Sequence, residues 1–114
     1  MHMEMDHVAV VVNNIAESTA WYVAQCGAQV LYADDTWAFL RIGQGKLALV
    51  MAYQHPPHVA VRVDETQLNA LAIQHNQPID RHRDGTKGFY LRDPNGNVLE
   101  VICYPPAETV YNNG

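Results

Sequence analysis

The sequence contains one strand-forming hexamer twice, and this internal repeat restricts the folds that the chain can adopt. Residues 7–12 (HVAVVV) recur as residues 58–63 (HVAVRV), with Arg62 replacing a valine, at an offset of 51 residues. The same offset carries residues 39–41 (FLR) onto residues 90–92 (YLR). A series of matches at one fixed offset indicates that a module of about half the chain is used twice.

Each module is predicted to have the order β-α-β-β-β. Short β-branched runs indicate buried strands, and Asn13-Asn14 and Asp64 are typical helix caps, with Gly27 as a helix stop. The Asp64 cap together with Gln67 forms a predicted capping box. In the first module, about residues 6–53, the predicted elements are a strand over 6–12, a helix over 15–26 and strands over 28–33, 37–42 and 46–53. In the second, about 58–104, they are a strand over 58–63, a helix over 64–75 and strands over 78–83, 88–92 and 97–104.

Length and composition indicate a single domain over residues 1–104, followed by a tail over 105–114. The chain has 114 residues, 48% of them hydrophobic and 17% charged, as in ordinary globular proteins. A formal charge of −5 argues against a nucleic-acid or anionic-membrane partner, because both require a basic surface. No apolar run is long enough for a membrane span, and the N-terminus lacks signal-peptide character. We therefore expect a cytoplasmic protein with Cys26 and Cys103 reduced.

Four segments carry a resemblance to a known family. They are residues 6–10 (DHVAV), the pair Trp21-Tyr22, residues 57–61 (PHVAV) and, above all, residues 88–100 (GFYLRDPNGNVLE). The last segment resembles the closing motif of the vicinal oxygen chelate superfamily, which includes glyoxalase I, extradiol dioxygenases, methylmalonyl-CoA epimerase and bleomycin resistance proteins. The resemblance implies an α+β fold in which two βαβββ modules form an open eight-stranded mixed barrel around a divalent metal.

Three residues are predicted to hold that metal. His7 and His58 occupy equivalent positions of the repeat, so pairing of the modules about a pseudo-twofold axis turns both imidazoles into one cavity. Glu100 matches the metal-binding glutamate of the family's closing motif. Two imidazoles and one carboxylate form a facial triad with open coordination positions, suited to Fe, Mn, Ni or Zn.

The repeat also predicts that a fourth ligand is missing. Fifty-one residues before Glu100 is Leu49, and residues 46–53 contain no carboxylate, amide or imidazole. In the family that this sequence resembles, glyoxalase I and methylmalonyl-CoA epimerase have a fourth protein ligand on this strand. We therefore expect three protein ligands, an apolar Leu49 facing the substrate, and no glyoxalase activity.

Further residues are predicted to face the cavity, although no catalytic residue is assigned. For each aromatic candidate, plain core packing is an equal alternative to substrate contact. Arg62 either grips a substrate oxygen or pairs with Asp6 or Glu65. The predicted substrate contacts are Trp37, Phe39, Leu49, Arg62, Tyr90 and Tyr104. The remaining histidines are interpreted as solvated, with His55 as a possible residue of the cavity mouth: His2, His55, His75 and His82.

Two functions remain open at this point. The first is a metal-dependent lyase, isomerase or dioxygenase that chelates neighbouring oxygens of a small substrate. The second is a binding protein without catalysis, similar to the bleomycin resistance proteins. The presence of His7, His58 and Glu100 favours the enzyme. A homodimer is expected, because a twofold mate can cover the edges of an open sheet.

Overall fold

The computed structural model describes residues 2–106, so most of the predicted tail, 105–114, lies outside the described residues. Within this range the chain forms one mixed sheet of eight strands together with two helices. The elements are β1 (Glu4–Val11), α1 (Ile15–Cys26), β2 (Gln29–Ala33), β3 (Trp37–Ile42), β4 (Gly45–Val50), β5 (His58–Arg62), α2 (Glu65–His75), β6 (Asp80–Arg81), β7 (Lys87–Arg92) and β8 (Val98–Cys103).

The order of strands shows the duplicated module directly. The sheet runs β2-β3-β4-β1-β5-β8-β7-β6, so the two modules meet where β1 pairs with β5. That pairing is antiparallel, whereas β1 with β4 and β5 with β8 are parallel. The predicted α+β class and open eight-stranded arrangement are confirmed.

The sheet separates an inner face from an outer face that carries the helices. Helix α1 packs on the first module over a core of Ile15, Ala28, Ala38, Leu40 and Leu49. Helix α2 packs on the second module over Val63, Leu68, Leu71, Ala72, Phe89, Val101 and Cys103. The inner face carries a third apolar cluster, made of Ala9, Phe39, Ala48, Val50, Ala60, Ile102 and Tyr104.

The helix ends follow the predicted capping chemistry. The Asn14 side chain accepts a hydrogen bond of 2.8 Å from the backbone N–H of Glu17. Gly27 closes α1 in the left-handed conformation at φ 65°. Asp64 and Gln67 form the predicted capping box of α2. Among the described residues, neither helix combines the length and apolar character needed to cross a membrane.

Two strands end at least two residues earlier than predicted. β4 ends at Val50 because the chain turns there, with the backbone N–H groups of Gln54 and His55 donating to the Met51 carbonyl. β6 contains only two residues, and the chain then enters a tight turn in which the N–H of His82 donates to the carbonyl of Thr86. The turns that follow these two strands carry His55 and His82, whose side chains reach the functional site.

Gly88 on β7 is predicted to be irreplaceable. A Cβ atom there would lie 2.2 Å from the backbone oxygen of Val101, so β7 and β8 would have to separate. We expect Gly88→Ala to lower the free energy of unfolding in urea by about 2–3 kcal/mol. Gly45→Ala is the matched control, since its Cβ meets nothing closer than 3.5 Å. Equal urea midpoints for the two variants would contradict the prediction.

Candidate metal centre

Three buried side chains from three neighbouring strands meet on the inner face of the sheet. His7 lies on β1, His58 on β5 and Glu100 on β8. The Nε2 atoms of His7 and His58 lie 3.5 and 3.2 Å from Oε1 of Glu100. One potential ligand atom from each residue lies within 4.8 Å of the others. The structure therefore brings together the three residues that the sequence predicted as metal ligands.

The two imidazole rings are oriented by hydrogen bonds on their far sides. Nδ1 of His7 lies 2.6 Å from Oδ2 of Asp6, and Nδ1 of His58 lies 2.8 Å from the carbonyl oxygen of Pro56. Because a carboxylate and a carbonyl only accept, each Nδ1 carries the proton and donates it. Each Nε2 is thereby directed towards Glu100. Metal-binding histidines are held in this way in proteins generally.

Asp6 reaches His7 because of a β-bulge that the sequence pattern did not predict. The pairing of β1 with β5 shifts between Met5 and His7, which leaves Asp6 as the extra residue. Its side chain is only 4% exposed. Oδ2 of Asp6 also accepts a hydrogen bond of 2.7 Å from the hydroxyl of Tyr104. Strict alternation along β1 would have placed Asp6 and His7 on opposite faces.

The electrostatics of this cluster favour a positive charge at its centre. Burial raises the pKa of Glu100, but hydrogen bonds with His58 and His7 outweigh it and lower the pKa to about 2. Burial lowers the pKa of His7, but its hydrogen bonds with Asp6 and Glu100 and their charges raise it to about 9. The pKa of Asp6 is also lowered, with burial opposed by the hydrogen bond and charge of His7. Two buried carboxylates thus stay ionised beside the imidazoles.

A cavity of about 530 Å³ opens over this cluster. Four of the predicted substrate contacts line it: Trp37, Phe39, Tyr90 and Tyr104. Arg62 does not line it, because its guanidinium lies over the Tyr104 ring, 4.1 Å from the centroid. The predicted pairing of Arg62 with Asp6 or Glu65 is also wrong. Asp6 binds His7 and Tyr104, and Glu65 accepts from Lys87.

Two histidines that the sequence indicated as solvated line the cavity. His55 is hydrogen-bonded through Nδ1 to the hydroxyl of Tyr90 at 2.9 Å. His82 is hydrogen-bonded through Nδ1 to the hydroxyl of Thr86 at 2.8 Å. Both lie outside long strands, where alternation says nothing about direction. Of the two, only His55, which lies beside Pro56-Pro57, was considered from the sequence as a residue of the cavity mouth.

Leu49 does not face the cavity, and the predicted register of β4 is wrong by one residue. Ala9 pairs with Ala48, whereas its repeat mate Ala60 pairs with Glu100. The turn before β8 is one residue longer than the turn before β4, so the offset rises to 52 on the last strand of each module. Ala48 is therefore the equivalent of Glu100 and lines the cavity, while Leu49 is buried under α1.

The chain belongs to the Glyoxalase/Bleomycin resistance protein/Dioxygenase superfamily, whose family model matches residues 4–101. No curated protein matches the chain by sequence.

Solved structures show the same fold at low sequence identity. The hypothetical protein BH1468 from Bacillus halodurans C-125 superimposes with a TM-score of 0.75 at 18% identity, over 95% of this chain and 99% of that one. Methylmalonyl-CoA epimerase from Mycobacterium tuberculosis has a TM-score of 0.72 at 16% identity, over 90% and 88%. A methylmalonyl-CoA epimerase in complex with methylmalonyl-CoA and NH4+ has a TM-score of 0.74 at 16% identity, over 96% and 99%.

The corrected register predicts opposite outcomes for two neighbouring substitutions. Leu49→Glu places an unpaired carboxylate in the core under α1, and we expect a loss of more than about 3 kcal/mol in the free energy of unfolding. Ala48→Glu directs its carboxylate into the cavity, so we expect a folded protein that binds Zn(II) more tightly than the wild type. Urea unfolding and zinc titration measure the two effects. A reversed order of stability would show that the register is wrong.

Proposed function

We propose that the protein is a metal-dependent enzyme in which His7, His58 and Glu100 hold a divalent ion, Fe, Mn, Ni or Zn. The observation that carries this proposal is the orientation of both imidazoles, which are held through Nδ1 and turn Nε2 towards one buried carboxylate. Convergence of two Nε2 atoms on Glu100 fits a cation-binding donor set.

A divalent ion in this position supplies Lewis acidity and a template for two neighbouring oxygens of a small substrate. Asp6 and the Pro56 carbonyl hold the imidazoles, which reduces the rearrangement needed for binding. Ala48, at the position equivalent to Glu100, lines the cavity with a small methyl group that leaves room and offers no lone pair to a metal. These features support a lyase, isomerase or dioxygenase with three protein ligands, and they argue against glyoxalase activity.

A second function, ligand binding without catalysis, is supported by the aromatic side of the same cavity. Trp37 packs against Tyr32 and Phe39, with ring centroids 5.1 and 5.9 Å apart. Such a surface binds flat apolar molecules without any metal. The buried Glu100 favours the enzyme, because a carboxylate costs free energy in a purely apolar binding site.

We also propose that the protein is a cytoplasmic homodimer. Met5 and Val8 on β1 are 69% and 39% exposed, although β1 lies in the middle of the sheet. A twofold mate covering them would remove this apolar surface from water. Cys26 and Cys103 are free cysteines, which are typical of proteins of a reducing compartment. Sedimentation equilibrium at micromolar concentration should give twice the chain mass, and a monomer would contradict the assembly.

The metal centre is tested by Glu100→Gln, which keeps the shape of the side chain and removes its charge. We expect the affinity for Zn(II) to fall at least about 100-fold, because one of three ligands is weakened and the buried charge is lost. A chelator competition titration on protein purified without a histidine tag measures it. Glu65→Gln is the matched control, since Glu65 pairs with Lys87 at the surface. Equal zinc affinity of Glu100→Gln and wild type would refute the proposed site.

Asp6 is predicted to act on the metal through His7. Asp6→Asn keeps an acceptor near Nδ1 but removes the charge, so we expect Zn(II) affinity to fall by about 10–100-fold. The matched control is Asp93→Asn, in the exposed turn before β8, which should leave zinc affinity unchanged. If Asp6→Asn binds zinc as tightly as the control does, the hydrogen bond to His7 has no part in metal binding.

A further inference from the structure

The two modules give the cavity walls of opposite character. Trp37 pairs with Val50 and Gly88 pairs with Ile102, so Trp37 and Gly88 hold equivalent positions. The indole of Trp37 lines the cavity between the rings of Tyr32 and Phe39. At Gly88 no side chain fits, because the oxygen of Val101 occupies that space. Trp37 therefore gives the first module an aromatic side chain in the cavity that has no counterpart at the equivalent position of the second module.

At the next two pairs of equivalent positions, the second module carries the more polar residue. Phe39 pairs with Ala48, whereas Tyr90 pairs with Glu100. The first module thus contributes a phenyl ring and a methyl group, and the second contributes a phenol and a carboxylate. The hydroxyl of Tyr90 is hydrogen-bonded to His55, which also lines the cavity. The polar side of the cavity is therefore formed by Tyr90 of the second module and by His55 of the joint between the modules.

A longer connection in the second module extends the polar wall. Two residues separate Asp34 from Trp37 in the first module, but seven separate Asp80 from Gly88. The longer turn brings His82 and Thr86 to the cavity, joined by a hydrogen bond of 2.8 Å. The guanidinium of Arg83 in this turn lies 2.9 Å from Oδ2 of Asp34, so an ion pair joins the turn to the first module.

We infer that the cavity selects a chelating ligand with two unlike sides, carrying a flat aryl group that packs on Trp37 and Phe39. Its oxygen pair lies at the metal centre, and any polar substituent lies towards Tyr90 and His55. This inference rests on the proposed metal centre and adds the class of ligand. The cavity volume of about 530 Å³ lies within the range of small-molecule sites and accommodates a phenyl ring. Packing such a ring against two aromatic side chains is favourable, because it removes apolar area from water and allows stacked or edge-to-face ring contacts.

The experiment compares acetohydroxamate with benzohydroxamate on the zinc-loaded protein by isothermal titration calorimetry. The two probes share one chelating group and differ in a methyl or a phenyl substituent. We expect benzohydroxamate to bind at least about tenfold more tightly to the wild type. Trp37→Leu should reduce this ratio to about threefold or less while leaving zinc affinity unchanged. Trp21→Phe is the matched control, because Trp21 lies exposed on α1 and its ratio should equal that of the wild type.

Each contrary outcome has a distinct meaning. Equal affinity for the two hydroxamates in a protein that binds zinc would overturn the inference and leave the metal centre in place. An unchanged ratio in Trp37→Leu would overturn the assignment of the aryl group to this wall. Failure of the wild type to bind any of Fe(II), Mn(II), Ni(II) and Zn(II) would refute the proposed function, and the inference with it.

Discussion

The site depends on the antiparallel pairing of β1 with β5, which joins the two copies of the module. In that register His7 pairs with Ala60 and Ala9 pairs with His58, so the two histidines are diagonal neighbours on one face. Their ring centroids lie 5.5 Å apart. A slip of one residue would turn one strand's side chains to the outer face and separate the histidines. The same pairing that completes the sheet therefore also assembles two of the three proposed ligands.

The buried cluster of His7, His58 and Glu100 is surrounded by hydrogen-bonding groups because a buried charge needs partners. Glu100 is buried on β8, and an isolated carboxylate there would cost several kcal/mol. The imidazoles offset that cost, and Asp6 in turn supports the imidazole of His7. Tyr104 adds a donor to Asp6, and Arg62 lies over the Tyr104 ring. A chain of contacts thus runs from Glu100 through His7, Asp6 and Tyr104 to Arg62.

Most of the fold, together with His7 and His58, followed from the repeat and from strand alternation, and Glu100 followed from the resemblance of residues 88–100 to the family's closing motif. Those regularities could not predict the features that depend on single insertions. The bulge at Asp6 and the extra residue before β8 each change which side chain faces inward, which moved Asp6 into the site and Leu49 out of it. His55 and His82 lie in turns, whose directions follow from tertiary contacts rather than from periodicity.

Duplication alone would give a symmetric cavity, and a symmetric cavity does not distinguish the two ends of a ligand. The metal centre already breaks the symmetry, since Glu100 has Ala48 as its equivalent. Phe39, which pairs with Ala48, and Tyr90, which pairs with Glu100, differ in the same way: the residue of the second module is the more polar. At both pairs of equivalent positions the apolar side chain lies in the first module and the polar one in the second, so the two differences add. A ligand bound at the metal therefore meets different chemistry on its two sides and has one preferred orientation.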